Sequence, residues 1–200
     1  AMSAFVPEHP EIMLIDTTTP KGAGADNWHC DATFMPEPPL GAVLRPVQLP
    51  PSGGDTCFAN MAAVYDALSP AFRSLLDGLP AVHDLTPQLR ISVERGVSPE
   101  SFETLQKKWP PVEHPVVRTH PESGRRALFV NPSFTVSFDG MTREESAPLL
   151  GWLAEHATQP ANVYRHRWRQ GDVLMWDNRA VMHYAVHDYD DSMPRLMHRT

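Results

Sequence analysis

Asp26-Asn27-Trp28-His29-Cys30-Asp31-Ala32-Thr33-Phe34 contains a His-x-Asp triplet, and His183 answers it far downstream. Side chains two residues apart lie on the same side of a strand, so His29 and Asp31 face one way. Two imidazoles and one carboxylate are the donor set that holds ferrous iron on one triangular face, leaving other positions open for a co-substrate and oxygen. The third ligand must then arrive from another part of the fold. A chain with 10 histidines makes such triplets by accident, so the surrounding sequence has to carry the reading.

Outward from the triplet the pattern is mixed, with strands dominating. Residues 11–16 form a short apolar run, and 21–26, with Gly22 and Gly24, read as a loop leading into the first block. Residues 40–49 alternate as a strand bounded by Pro50-Pro51 and Ser52-Gly53-Gly54, and 56–61 follow as the next. A helix is expected over 60–68, and another from Ser69-Pro70 to about 76, because serine caps and proline suits the first helical position. Residues 84–110 are polar and charged, and read as helix and mobile loop over a site mouth. Strands at 116–120 and 127–131 flank the turn Pro121-Glu122-Ser123-Gly124. The clearest helix is 142–158: Thr142 and Glu145 make a capping box, Leu149, Leu150, Leu153 and Ala154 share a face, and Pro148 is expected to interrupt its start. Residues 163–168 and 173–176 complete the alternation. Short strands with a few helices suit a mainly β fold with flanking helices, a jelly roll whose two sheets enclose a site. The 21 prolines fit loops and strand edges better than a bundle.

Composition narrows the classes. Two hundred residues, 42% of them apolar, suffice for one domain with a sizeable core. No apolar run approaches the roughly 18 residues of a membrane span, and the opening residues lack the pattern of a signal peptide. A net charge of −7 argues against a nucleic-acid partner. Cys30 and Cys57 are too few for a disulfide scaffold and read as free thiols in a reducing, cytoplasmic compartment.

The blocks recur in a recognisable order. After the first come Gly53-Gly54-Asp55-Thr56, His114-Pro115-Val116-Val117-Arg118-Thr119-His120-Pro121 and Ala127-Leu128-Phe129-Val130-Asn131. The chain closes with Trp176-Asp177-Asn178-Arg179, His183-Tyr184-Ala185 and Arg195-Leu196-Met197-His198-Arg199. In that order and spacing they resemble the taurine dioxygenase and 2,4-dichlorophenoxyacetate dioxygenase family, which are iron(II)- and 2-oxoglutarate-dependent enzymes. The resemblance implies a double-stranded β-helix, with Fe(II), 2-oxoglutarate and O2 as cofactor and co-substrates. It implies His29, Asp31 and His183 as metal ligands. It also implies a single catalytic domain over 1–200 that lacks some amino-terminal and carboxyl-terminal sequence of the full-length enzyme.

The same resemblance assigns the remaining site residues. Arginine grips a carboxylate through its planar fork and keeps its charge. Arg195 stands where the family's arginine binds the far carboxylate of 2-oxoglutarate, and Thr56 where a threonine assists it. Arg199 corresponds to the arginine that meets an anionic prime substrate, with Ala32 and Phe134 as candidate pocket walls. Taurine dioxygenase has an asparagine four residues before its first metal histidine, and this chain has Ala25 there, which speaks against taurine itself. The implied reaction hydroxylates a small anionic organic substrate (a sulfonate, alkyl sulfate or aryloxyalkanoate) while 2-oxoglutarate is decarboxylated to succinate and CO2.

Alternatives stay open at this point. His183 and His187, four apart, could pair on a helix as zinc ligands; a strand reading disfavours that and leaves His187 at the surface. Another metal-dependent enzyme on a cupin-like fold would use the three ligands without Arg195 or Thr56. A non-catalytic anion-binding fragment would consume no oxygen. Unpaired sheet edges would also admit a homo-oligomer.

Overall fold

The structure is a computed structural model and describes residues 4–16, 27–94, 96, 101–190 and 192–200. Its strands are β1 (Ala4–Val6), β2 (His9–Asp16), β3 (Gly41–Gln48), β4 (Thr56–Asn60), β5 (Pro80–His83), β6 (Val112–Pro115), β7 (Val117–Thr119), β8 (Arg126–Leu128), β9 (Thr135–Phe138), β10 (Val163–His166), β11 (Leu174–Asp177), β12 (Val181–Ala185) and β13 (Leu196–Arg199). The helices are α1 (Met61–Asp66), α2 (Pro70–Leu76), α3 (Thr86–Glu94), α4 (Phe102–Lys108) and α5 (Arg143–Ala157).

Two antiparallel sheets face each other across the site. One has the order β1-β2-β13-β3-β11 and the other β10-β4-β12. Along β3, Ala42, Leu44 and Pro46 turn inward and are buried, while Arg45 and Val47 are exposed. Ala42 and Leu44 meet Trp176 of β11, Met197 of β13 and Phe58 of the facing sheet, so one core fills the space between the sheets. Residues on the reverse of β4 and β12, Ala59 and Met182, belong to a second core with Val64 of α1 and Leu153 of α5. The smaller sheet β6-β5-β9 and the hairpin β7-β8 complete the architecture. This is the jelly roll the strand pattern predicts.

Local chemistry explains several boundaries. Asn60 and Ser69 cap α1 and α2 by accepting from the Ala63 and Phe72 backbone N–H groups. Thr142 and Glu145 form the expected capping box, but α5 runs from Arg143 with Pro148 inside it rather than being interrupted there. The strand expected over 163–168 is shorter, ending at His166, and the loop expected over 21–26 lies outside the described residues, as does Ala25. The region 84–110 carries α3 and α4. Strands β1, β5, β6 and β9 were not anticipated.

Candidate metal centre

His29 is joined to β12 by a single antiparallel bridge. Its N–H donates to the His183 carbonyl at 2.9 Å, and the His183 N–H returns the bond at 2.8 Å. Directly opposed residues share a face, and the two imidazole centroids lie 4.1 Å apart. Asp31, two residues on, turns to the same side: its Oδ1 is 3.6 Å from His29 Nε2 and 3.7 Å from His183 Nε2. The three ligand atoms all lie within 4.8 Å of one another, and all three residues are buried. Two bonds of about 2.1 Å to a shared cation span such separations.

The donors are in the right chemical form. His29 Nδ1 donates to the Asn27 carbonyl at 2.7 Å, which leaves the Nε2 lone pair for a metal. Burial, with His29 beside it, pushes His183 down to about 3, so it is a neutral imidazole near neutral pH. Burial opposes ionisation of Asp31, but His183, Arg199 and His29 together hold its carboxyl below the usual carboxylate range. His183 Nδ1 is buried and makes no hydrogen bond to the described residues. Two imidazole nitrogens and one carboxylate on one face fit a divalent first-row metal such as iron(II), with room for further ligands. His187, by contrast, is exposed and packs against Tyr189.

A second cluster forms around the glycine turn before β4. Arg195 is buried and donates from Nε to the Gly54 carbonyl at 3.2 Å. The Gly54 N–H donates to Asp188 Oδ1 at 2.8 Å, and Arg165 bridges Asp188 and Asp55 at 2.7 Å each. Gly54 has φ +73°, and a Cβ there would lie 2.9 Å from Arg195 Nε. The turn is therefore glycine because the arginine lies against it. Thr56 follows on β4, opposite Ala185 and on the same face as His183, and its hydroxyl accepts from Trp168 Nε1 at 3.0 Å. Burial lowers the basicity of the Arg195 guanidinium.

The expected substrate residues are dispersed around the triad. Arg199 pairs with Asp31 Oδ2 and lies over the Trp176 ring, 5.3 Å from its centroid. Phe134 meets Phe34 edge-on at 5.2 Å, and Phe34 meets Trp109 at 5.3 Å. Ser133 Oγ donates to the Trp28 carbonyl at 3.1 Å, which holds the Phe134 loop beside the ligand strand. Ala32 has φ +49°, a conformation that costs a non-glycine residue about 1–2 kcal/mol. Trp28 stacks on Tyr184 as a packing residue. Trp109 and Asp188 carry no sequence signal of their own, and Phe34 and Asn178 stand in the quoted blocks without a role assigned to them. A cleft of about 420 Å³ opens elsewhere, lined by Phe58, Asn60, His120 and Tyr164 among others, and includes none of the ligands.

Residues 4–200 match the family model described as taurine catabolism dioxygenase TauD, TfdA family. The chain belongs to that family. It is 39% identical over 202 residues to an alpha-ketoglutarate-dependent sulfate ester dioxygenase of Pseudomonas putida, covering 96% of this chain and 66% of that protein. It is 41% identical over 172 residues to an alpha-ketoglutarate-dependent 2,4-dichlorophenoxyacetate dioxygenase of Cupriavidus pinatubonensis, covering 86% and 58%. The crystal structure of a taurine dioxygenase from Burkholderia xenovorans superposes with a TM-score of 0.79 at 39% identity, covering 97% of this chain and 64% of that one. The structure of AAD-2 in complex with Mn(II) and N-oxalylglycine matches at a TM-score of 0.77 and 36% identity, covering 88% and 66%. The TauD, TfdA chain described here thus spans roughly six-tenths of the length of the curated relatives it matches. Among the described residues, no helix is long and apolar enough to cross a membrane.

Proposed function

We propose that this chain is the catalytic part of an Fe(II)- and 2-oxoglutarate-dependent dioxygenase that hydroxylates a small anionic organic molecule. The observation that carries the reading is the convergence of His29, Asp31 and His183 within 4.8 Å in a chain of this family. Iron(II) and 2-oxoglutarate would supply the oxidation, with 2-oxoglutarate decarboxylated to succinate and CO2 as O2 is consumed.

The chain's own residues bind, orient and exclude. His29 Nε2, Asp31 Oδ1 and His183 Nε2 would hold the metal. Arg195 offers a guanidinium to the far carboxylate of 2-oxoglutarate, and the buried Thr56 hydroxyl lies one residue beyond the turn that holds it. Phe58, Trp176 and Met197 form an apolar core beside the ligands, which keeps water from that side. Arg199, Ala32 and Phe134 are the proposed contacts of the prime substrate. The relatives' names support sulfate esters and aryloxyalkanoates as substrate classes. The proposed enzyme works in the cytoplasm on a small molecule rather than on nucleic acid or membrane, and its sheet edges would admit a homo-oligomer.

The test is 2-oxoglutarate-dependent succinate formation by the iron-loaded protein, run with sulfonates, sulfate esters and aryloxy acids. Succinate that rises with one class and is lost in Asp31→Ala supports the dioxygenase. Turnover of another kind that survives Arg195→Gln points to a different metal enzyme.

A further inference from the structure

Asp31 sits between two buried amides. Asn178 lies in the turn that leads from β11 of one sheet into β12 of the other, the strand that carries His183. Its Oδ1 accepts from the Asp31 N–H at 2.7 Å, and its Nδ2 donates to the Asp31 carbonyl at 2.9 Å and the Pro39 carbonyl at 3.2 Å. Both backbone groups of the ligand residue thus end on one side chain that is only 1% exposed. β12 therefore holds residue 29 by its backbone bridge, and the turn that precedes β12 holds residue 31 by this amide.

Two residues past Asp31, Thr33 is held by a second buried amide. Its hydroxyl accepts from Asn131 Nδ2 at 3.0 Å and lies 2.9 Å from His83 Nδ1. Asn131 is fixed in turn: its Oδ1 accepts from the Ser133 and Phe134 N–H groups, and its own N–H donates to Thr135 Oγ1 at 2.9 Å. Between these anchors lies Ala32 at φ +49°. A backbone in that region persists only where its surroundings over-determine it. Here the surroundings are Asn178 before the strained residue and Asn131 after it.

We propose that Asn178 and Asn131 are positioning residues for the metal: together they fix the Asp31 arm so that Oδ1 meets the two imidazoles. The inference rests on the metal-centre reading. Each amide acts through backbone or Thr33, and neither touches the metal. His183 is placed by β12 and His29 by its backbone bridge to that strand, whereas Asp31 stands in a turn outside the strands, so its carboxylate depends on these amides.

The test is equilibrium titration of the protein with Mn(II) and with Co(II), read by calorimetry and by the Co(II) visible spectrum, alongside thermal unfolding without metal. Asn178→Ala is expected to weaken Mn(II) binding roughly ten- to hundred-fold and to change the Co(II) spectrum. Asn131→Ala is expected to act in the same direction. Leu76→Ala, a core truncation on α2, is expected to lower the melting temperature with Mn(II) affinity within about twofold of the unaltered protein. If Asn178→Ala does not fold, Asn178→Ser reads the Asp31 anchor, and Thr33→Val, which exchanges the hydroxyl for a methyl of similar size, reads the Asn131 anchor. Mn(II) affinity within about twofold of the unaltered protein in both the Asn178 and the Asn131 variants, or an equal loss in Leu76→Ala, overturns the inference. No Mn(II) binding by the unaltered protein overturns the metal-centre reading itself.

Discussion

Arg199 holds one oxygen of the Asp31 carboxylate, Oδ2, while the other, Oδ1, faces the two imidazoles. The carboxylate is thus divided between a guanidinium and the candidate metal position. Both partners are largely buried, so the charge on Asp31 has little access to water. Breaking a buried pair by removing one partner costs about 3 kcal/mol or more, because the other charge is left uncompensated. Arg199→Gln should therefore destabilise the protein by about that amount without metal. A divalent cation supplies the missing charge, so Mn(II) should raise the melting temperature more in Arg199→Gln than in the unaltered protein. Equal shifts would mean that metal and Arg199 do not share Asp31.

Gly54 and Arg195 give the second prediction. A methyl group at Gly54 would sit 2.9 Å from Arg195 Nε on a backbone with φ +73°. Gly54→Ala should displace the guanidinium and weaken 2-oxoglutarate binding about tenfold or more, while Mn(II) affinity is kept. Calorimetric titration of 2-oxoglutarate into Mn(II)-loaded protein checks this. Unchanged 2-oxoglutarate affinity would remove Arg195 from the co-substrate site.

The histidines set a pH dependence. Burial, then His114, pushes His83 down to about 3, and burial, then His29, does the same to His183. An unfolded histidine titrates near 6.5. Between those values the unfolded chain binds protons that the native state does not, so stability without metal falls as pH drops through that window. Each histidine contributes a slope of up to about 1.4 kcal/mol per pH unit. Urea unfolding between pH 7 and pH 4.5, taken as about the upper part of that window, should show it. His83→Gln should reduce the slope by the share of one proton, and an unchanged slope would contradict neutral burial of His83.

The helix cap offers a control far from the chemistry. Thr142 accepts from the Glu145 N–H, and Glu145 accepts from the Thr142 N–H in return. Thr142→Ala should cost about 1 kcal/mol, or about 2–4 °C in a chain of this size. Mn(II) affinity should not change. A calorimetric melting curve with and without Mn(II) reads both.

What was legible in the sequence follows from where the information lies. Caps are local, so Asn60, Ser69 and Thr142 mark their helices directly. The alternation of β3 writes its buried face into consecutive residues. The convergence of His29, Asp31 and His183 was legible because His-x-Asp and the His183 block keep a recognisable order. By contrast β5 and β6 are four-residue strands that begin or end in proline, and their pairing with each other and with β9 supplies the stabilisation that local pattern does not. The partner of His29 Nδ1 is a backbone carbonyl, which any residue type could provide. The pairing of Arg199 with Asp31 likewise depends on how β13 lies against β3, with an irregularity in register between Leu196 and Met197. Pro148 blurs the start of α5 in the local pattern, yet the helix runs through it, with Leu153 and Ala157 buried beyond it.

The most direct test of the central claim is a crystal structure of the protein with Mn(II) and N-oxalylglycine, with anomalous scattering recorded for the metal. The account predicts one Mn(II) bound by His29 Nε2, Asp31 Oδ1 and His183 Nε2, and the far carboxylate of N-oxalylglycine on Arg195. Metal bound at other residues, or N-oxalylglycine held away from Arg195, would contradict it.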